Sequence, residues 1–250
     1  MRKWKLLLES MIGTSHIQTN QQCQDFAVGR VLDAADIVVL ICADGAGSAS
    51  HSEFGSRFVC NWLLNIIVTD LEGGLALRDI TREHIVDWHA KVRQHLNLEA
   101  SRENVDLREF ATTVLTAIVG PSQAIFSHIG DGVIVYGDGD EFKTPSWPKQ
   151  GEFANTTYFL TGSDFEDQIS FNVIDQQIDE IALLTDGLQP LALHYATHSV
   201  HSPFFQPMFA ALRDVSNPDE LREPLKAFMN SCAVNNRTDD DKTLVLATRK

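Results

Sequence analysis

The sequence has few basic residues and no long apolar run, and both absences exclude classes of protein. Only 20 Lys and Arg accompany 34 Asp and Glu, so the formal net charge is −14. A surface of this sign repels phosphate backbones and anionic lipid headgroups, which argues against nucleic-acid and membrane partners. No stretch approaches the about 20 apolar residues that cross a bilayer. The apolar stretch Leu6–Leu8 ends at Glu9 and is too short for a signal peptide.

Cysteine is scarce, and its spacing indicates neither a disulfide framework nor a zinc site. The four cysteines include no CxxC pair. Cys42 lies in a strand-like apolar run and Cys60 in a helix-like one, so we expect both to be buried small side chains. Reduced thiols, together with the missing signal peptide, lead us to expect a cytoplasmic protein.

Several signatures of catalysis and metal binding are also missing. The sequence has neither a Gly-x-Ser-x-Gly nucleophile elbow nor a Gly-x-x-x-x-Gly-Lys phosphate loop. His84 and His89 lie five apart on a predicted helix and therefore on different faces. His194, His198 and His201 fall in a predicted loop. We therefore expect no metal site built from histidines.

Apolar runs predict nine strands, and 250 residues with 44% apolar content can bury a sizeable core. The run Ile37–Ala43 is nearly all apolar, which predicts burial on both faces. The predicted strands are Lys5–Ile12, Phe26–Leu32, Ile37–Ala43, Thr112–Val119, Gln123–His128, Val133–Tyr136, Ile169–Ile174, Ile181–Leu184 and Leu244–Ala247.

Two consecutive helices are predicted between the third and fourth strands. In the first, Phe54, Phe58, Trp62 and Ile66 recur every four residues, and we expect this stripe, Trp62 included, to face the core. The second begins after Thr81, a suitable N-cap, and has Ile85, Trp88, Val92 and Leu96 on one face. Residues 142–162 are expected to form a loop or flap, and Asp219–Asn230 a helix despite Pro224.

The order of the elements predicts the fold class. Strands come first, followed by two helices, more strands, more helices and a last strand. A doubly wound chain would instead alternate strands and helices, so we predict an α+β sandwich of antiparallel sheets with helices packed outside. We expect one domain over residues 1–250.

Aspartates stand at five strand ends that are far apart in the sequence. Strand ends of packed sheets lie at a common rim, so these carboxylates can meet in space. Two unit charges about 4 Å apart repel by roughly 4 kcal/mol at an effective dielectric constant of about 20, and divalent cations relieve that cost. Hard oxygen ligands favour magnesium, manganese or calcium over zinc. The five residues are Asp25, Asp44, Asp131, Asp186 and Asp240.

Small residues surround the second of these aspartates. The stretch from Asp44 to Ser56 is rich in glycine and serine, and Gly45 would let the backbone approach a cation and offer its carbonyl. Two cations about 3.5–4 Å apart can polarise a phosphoryl group and activate a bridging water. A single Asp-Gly pair is usually only a turn, and we assign Asp138 and Asp140 to that class.

The ordered motifs resemble those of the type 2C metal-dependent protein phosphatases over residues 13–248. The start, Gly13-Thr-Ser-His16 with Gln24-Asp25, resembles a bacterial subgroup of that family. The remaining motifs, in order, are Asp44-Gly-Ala-Gly, Ala111-Thr112-Thr113, Gly130-Asp131, Thr185-Asp186-Gly187 and Asp240-Asp241-Lys242-Thr243.

The resemblance implies a four-layer α-β-β-α sandwich that hydrolyses phosphoserine and phosphothreonine with a metal-bridging hydroxide. It implies two or three manganese or magnesium ions. Asp44 would bridge two ions, Gly45 would give its carbonyl to one, and Asp186 and Asp240 would complete the other site. Asp25 would hold metal-bound water, and Asp131 would serve a third ion. The implied substrate is a phosphorylated protein, with a cognate Ser/Thr kinase as a possible partner.

Two departures from the family pattern concern the substrate. Asn20 stands where better-known members carry a phosphate-gripping arginine, so His16 or Arg57 is a candidate replacement. Ala46 stands where some members have a histidine proposed as general acid, and His16 or His51 could protonate the leaving group instead. Asp44, Asp186 and His16 are thus the predicted catalytic residues.

Three further departures concern the metals and their neighbours. Gln24 replaces a glutamate ligand, and Pro190 replaces an aspartate that often supports the third ion. Lys242 beside Asp240 is expected to point to solvent, the usual environment of lysine. Two other functions stay open: a catalytically impaired member that binds phosphoproteins or a partner, and a metal hydrolase of another fold acting on small phosphomonoesters.

Overall fold

The structure, a computed structural model, describes residues 3–137, 141–148 and 157–249. The predicted turn with Asp138 and Asp140, and residues 149–156 of the predicted loop 142–162, lie outside the described residues. The strands are β1 (Lys5–Met11), β2 (Phe26–Leu32), β3 (Ile37–Ala43), β4 (Val114–Val119), β5 (Ala124–Ile129), β6 (Val133–Gly137), β7 (Phe142–Lys143), β8 (Ser170–Ile174), β9 (Glu180–Leu184), β10 (Leu193–His194), β11 (Ser199–Val200) and β12 (Lys242–Thr248).

The part of the chain that the structure describes has four short helices and four of eight residues or more. They are α1 (Thr14–Gln18), α2 (Ser52–Glu72), α3 (Arg82–Glu103), α4 (Phe165–Gln168), α5 (Gln189–Ala192), α6 (Ser202–Asp214), α7 (Arg222–Met229) and α8 (Cys232–Asn235). The helix predicted over Asp219–Asn230 is a 3₁₀ turn followed by α7. Pro224 fits there because it lies in the first helical turn, where a missing N–H costs little.

The strands form two five-stranded antiparallel sheets, which confirms the predicted fold class. One sheet has the order β1-β12-β9-β6-β7 and the other β2-β3-β4-β5-β8. Neighbouring strands in both sheets run antiparallel. β10 and β11 pair with each other in a separate two-stranded antiparallel sheet.

Three apolar clusters separate four layers. Between the sheets lie inward side chains such as Leu40, Phe126 and Leu183. The outer face of the β2–β8 sheet packs against α2 and α3, and the outer face of the β1–β7 sheet packs against α6 and α7. Every residue of β3 is buried, as its uniform apolar run predicted. The layers are therefore α, β, β and α.

The prediction for the buried face of α2 was wrong for two of the four residues in the predicted stripe, whereas the other two are partly buried against the core. Phe54 and Trp62 are 44% and 38% exposed, whereas Val59 and Leu63 are fully buried against the sheet. The helix has two apolar stripes, and the stripe with smaller side chains fits against the sheet. The aromatic stripe packs sideways, with Trp62 stacked on His95 of α3 at 4.1 Å between ring centroids.

Other expectations for the helices and cysteines are confirmed. Thr81 is the N-cap of α3, and Ile85, Trp88, Val92 and Leu96 are buried. The cysteines are free, and Cys42 and Cys60 are buried. Within the described residues, none of the helices combines the length and apolar character that crossing a bilayer requires.

Candidate metal centre and active site

Three of the strand-end aspartates converge at one rim of the sandwich. Asp44 follows β3, Asp131 follows β5, and Asp186 follows β9. One carboxylate oxygen from each lies within 4.8 Å of the others. Asp240, in the turn before β12, and Gly45 line the same cavity, whose volume is about 340 Å³. The two sheets thus bring together side chains that the sequence separates by up to 196 residues (240 − 44).

Two threonines fix the backbone at Asp44. The N–H of Asp44 donates to Thr113 Oγ1 at 3.0 Å, and its carbonyl accepts from Thr112 Oγ1 and the Thr113 N–H at 2.8 Å each. The backbone polar groups of Asp44 are therefore satisfied, which leaves its carboxylate to face the other aspartates. This is the structural role of the Ala111-Thr112-Thr113 motif.

Asp25 lies behind this group and is 4% exposed. Its Oδ2 accepts a hydrogen bond from Thr185 Oγ1 at 2.7 Å, and Thr185 Oγ1 in turn accepts from the Thr243 N–H at 3.0 Å. Its Oδ1 is buried and receives no hydrogen bond from the described residues. The ends of β2, β9 and β12 are thereby tied together around one buried carboxylate.

Two glycines allow the loops at this rim to approach closely. A Cβ on Gly187 would lie 1.9 Å from the carbonyl oxygen of Asp241. A Cβ on Gly45 would lie 2.7 Å from the carbonyl oxygen of Ser52. Neither position has room for a side chain, so the glycine beside Asp44 and the glycine beside Asp186 have steric reasons in the fold itself.

The electrostatics of the aspartates are unfavourable without a cation. Burial, with the charges of Asp25 and Asp186, raises the pKa of Asp44 well above its ordinary value. Burial, with the charges of Asp131 and Asp240, raises the pKa of Asp186 to about 7. Burial is also the main cause that raises the pKa of Asp25 to about 8. Such a group resists carrying its full negative charge at neutral pH.

The donors present fit a hard divalent cation. Asp44, Asp131 and Asp186 offer carboxylate oxygens only, and such oxygens suit magnesium and manganese. Besides Oδ1 of Asp25, Oδ1 of Asp131 is buried and receives no hydrogen bond from the described residues. An unpaired buried carboxylate oxygen is costly, and a cation would satisfy it.

His16 is the one basic side chain among the described residues that line the cavity. Its Nδ1 lies 2.9 Å from Oδ1 of Asp241, which is 2% exposed. The two oxygens of Asp241 also accept the N–H groups of Gly13 and Gln24 at 2.6 Å each. Asp241 therefore ties the segment before β2 to the turn that carries Asp240, and it lies beside the ring of His16.

The structure does not bring the other proposed basic residues to the cavity. Arg57 pairs with Glu53 at 3.1 Å and lies over the ring of Phe26. The ring of His51 packs on Phe110 at 5.0 Å between centroids. Neither of the two lines the cavity, and Asn20 is an exposed turn residue with φ of 56°.

Lys242 does not point to solvent, so that expectation was wrong. Its side chain is fully buried, and its Nζ donates to Asn235 Oδ1 at 3.0 Å. Lys242 opens β12, where its neighbours in the sheet enclose it, and Asn235 of α8 supplies the polar partner that a buried ammonium group requires.

Four residues near the cavity were not predicted as contributors. Asp241 was noted only as a neighbour of Asp240, and a strand-end carboxylate next to a predicted ligand could have signalled it. Thr157, Gln189 and Tyr195 carry no pattern in the sequence. Thr157 Oγ1 donates to Asp131 Oδ2 at 2.7 Å, and Gln189 donates to the carbonyl of Asp131. Tyr195 donates to Gln189.

Comparison with known proteins supports the resemblance to the type 2C protein phosphatases. The sequence model described as protein phosphatase 2C matches residues 12–230. Serine/threonine-protein phosphatase 3 of Escherichia coli (strain K12) is 36% identical over 250 residues, covering 98% of this chain and 98% of that protein. The chain belongs to the protein phosphatase 2C family.

Solved structures at lower identity share the fold. A bacterial serine phosphatase matches with a TM-score of 0.68 at 15% identity, over 98% of each chain. PppA, a regulatory component of T6SS in Pseudomonas aeruginosa, matches with a TM-score of 0.64 at 14% identity, over 99% of this chain and 98% of PppA. At these identities the likeness concerns the architecture alone.

Proposed function

We propose that residues 1–250 act as one catalytic domain that hydrolyses phosphoserine and phosphothreonine in proteins with two manganese or magnesium ions. The observation that carries the proposal is the convergence of Asp44, Asp131 and Asp186 within 4.8 Å in a cavity open to a substrate. Family membership supports it, because the family consists of protein phosphatases.

The aspartates and Gly45 divide the work of holding the cations. Asp44 lies among the other carboxylates and would be shared by both ions, with the Gly45 carbonyl on one side. Asp186 and Asp240 would complete the second position, Asp25 would orient water, and Asp131 would serve a third ion. Cations in such a site supply Lewis-acid polarisation of the phosphoryl group and activate water for in-line attack.

His16 is proposed as the general acid for the leaving serine or threonine oxygen. Its Nδ1 lies 2.9 Å from Oδ1 of Asp241 and its ring forms part of the cavity wall, so the imidazolium form would deliver its proton from Nε2 to the leaving oxygen. His16 also brings the basic character that the missing arginine at Asn20 would otherwise supply. We propose a Ser/Thr kinase or its target as the source of the phosphorylated substrate.

The proposal is tested by removing single carboxylates. Asp44→Asn and Asp186→Asn should each lower manganese-dependent phosphate release from a phosphothreonine peptide by more than about 100-fold. Losing a metal ligand should lower the activity by more than the 10–100-fold that is typical when a residue supporting a ligand is removed. Asp33→Asn, in the exposed turn before β3, is the matched control and should keep full activity.

Two other outcomes would replace the proposal. The described residues of the cavity wall include no basic group besides His16, and this favours a phosphoprotein-binding module. Such a module would show no turnover with either metal but would still bind the phosphopeptide. Faster release from sugar or nucleotide phosphates than from phosphopeptides would favour a hydrolase of small phosphomonoesters.

A further inference from the structure

A chain of hydrogen bonds runs from the loop that carries Asp131 to the segment that follows Asp186. Gln189 Nε2 donates to the backbone carbonyl of Asp131, and the hydroxyl of Tyr195 donates to Gln189 Oε1. Gln189 opens α5, three residues after Asp186, and Tyr195 begins the short 3₁₀ turn between β10 and β11. The backbone at Asp131 is therefore tied to the segment that follows Asp186 through uncharged side chains.

The orientation of the Gln189 amide follows from its partners. A backbone carbonyl can only accept, so the nitrogen of the amide must face Asp131, which leaves its oxygen to accept from Tyr195. Gln189 is 7% exposed, so solvent has little access to replace either bond. Losing one partner of a buried amide leaves a polar atom unsatisfied.

Asp131 is held at its side chain as well as at its backbone. Thr157 Oγ1 donates to Oδ2 at 2.7 Å, while Oδ1 is buried and receives no hydrogen bond from the described residues. With Oδ2 engaged and the carbonyl engaged, the carboxylate has little freedom to rotate or to move away from Asp44 and Asp186. Pro190, the next residue after Gln189, offers no carboxylate for this task.

Tyr195 is placed to remain a hydrogen-bond donor. Its ring packs edge-on against Trp147 with 5.8 Å between centroids, which fixes the direction of the hydroxyl. Burial and the negative charges of Asp186 and Asp131 raise the pKa of Tyr195, so the hydroxyl keeps its proton at neutral pH. Replacing Tyr195 by Phe would remove the hydroxyl and retain the ring.

We propose that Gln189 and Tyr195 are positioning residues that fix the backbone of Asp131 and so set the geometry of the Asp44–Asp131–Asp186 site for a divalent cation. The inference rests on the proposed function and names two residues that support its metal site. Partners that orient metal ligands typically change metal affinity or activity by 10–100-fold when removed.

The test measures manganese binding to the metal-free protein by calorimetry. Tyr195→Phe and Gln189→Leu should each raise the dissociation constant for Mn²⁺ by roughly 10-fold. Because both residues act through one chain, the double variant should bind no more weakly than Gln189→Leu alone. Tyr136→Phe is the matched control, since Tyr136 stacks on Phe126 between the sheets, away from this chain, and it should bind Mn²⁺ like the parent protein.

A second glutamine variant guards against misfolding. Gln189→Met keeps the length of the side chain without adding a charge but loses the donor to Asp131, so it should bind Mn²⁺ as weakly as Gln189→Leu. Parental Mn²⁺ affinity in Tyr195→Phe and Gln189→Met, additive losses in the double variant, or an equal loss in Tyr136→Phe would overturn the positioning role.

Turnover separates this inference from the proposed function. If Asp44→Asn abolishes phosphate release while Tyr195→Phe binds Mn²⁺ normally, only the positioning role fails. If Asp44→Asn retains parental turnover, the proposed function fails whatever Tyr195→Phe shows. Loss of Mn²⁺ affinity in Tyr195→Phe, together with a kcat that recovers at saturating Mn²⁺, supports both the positioning role and the proposed function.

Discussion

At the scale of single residues, His89 shows how burial changes the chemistry of a side chain that the active site does not use. His89 lies on the buried face of α3 and is 1% exposed. Its Nδ1 is 2.7 Å from the carbonyl oxygen of Ile85, whereas Nε2 receives no hydrogen bond from the described residues. Burial lowers the pKa of His89 to about 4.

This shift predicts a loss of stability in mild acid. Between its ordinary pKa of about 6.5 and its folded pKa of about 4, the unfolded chain binds a proton that the folded chain does not. The free energy of unfolding should therefore fall as the pH drops through that range, by up to about 3 kcal/mol from this group. Urea unfolding at pH 7 and at pH 4 measures it.

The comparison needs variants that isolate His89. His89→Gln cannot take up the proton, so the stability difference between it and the parent should change by about 3 kcal/mol between the two pH values. His84→Gln, on the more exposed face of α3, should follow the parent protein. Parallel pH curves for the parent and His89→Gln would contradict the assignment.

The sequence predicted which carboxylates the fold brings together, but not the groups that hold them. Asp44, Asp131 and Asp186 could be found because each follows a run of apolar residues, and strand ends share a rim. Gln189 and Tyr195 could not, because their contacts depend on how closely two loops approach. The bond from Gln189 to Asp131 spans 58 residues, and no local pattern reports such a contact.

At the scale of elements, α2 shows where a periodic pattern is ambiguous. Two stripes of apolar residues run along this helix, and periodicity alone does not decide which one meets the sheet. The stripe of smaller residues faces the sheet, and on that side Gly55 lets the helix approach the 3₁₀ turn before β4, where a Cβ would lie 2.4 Å from the carbonyl oxygen of Phe110. The helix as an element was predictable, and its rotation was not.

Adjacent residues on the two faces of α2 should differ in their contribution to stability. Leu63 is fully buried, so Leu63→Ala should lower the free energy of unfolding by about 2–5 kcal/mol. Trp62 is 38% exposed and retains mainly its ring contacts, so Trp62→Ala should cost about 1 kcal/mol. Urea unfolding of both variants checks the order, and a larger cost for Trp62→Ala would contradict the observed rotation.

At the scale of the whole molecule, the two sheets convert a dispersed set of acidic residues into one centre. Each aspartate of the cluster stands at the end of a different strand, and the packing between the sheets fixes their separation. The chain carries a formal net charge of −14, and the rim concentrates part of it in a cavity where burial opposes ionisation. Bound cations would offset that concentration of charge.

The most direct measurement is anomalous X-ray scattering from a crystal grown with Mn²⁺. Manganese peaks are expected within bonding distance of Asp44 and Asp186, about 2.0–2.6 Å from carboxylate oxygens. Crystals of Asp44→Asn should lose them. A cavity without manganese peaks at saturating Mn²⁺, or peaks confined to surface carboxylates elsewhere, would contradict a metal centre at this rim.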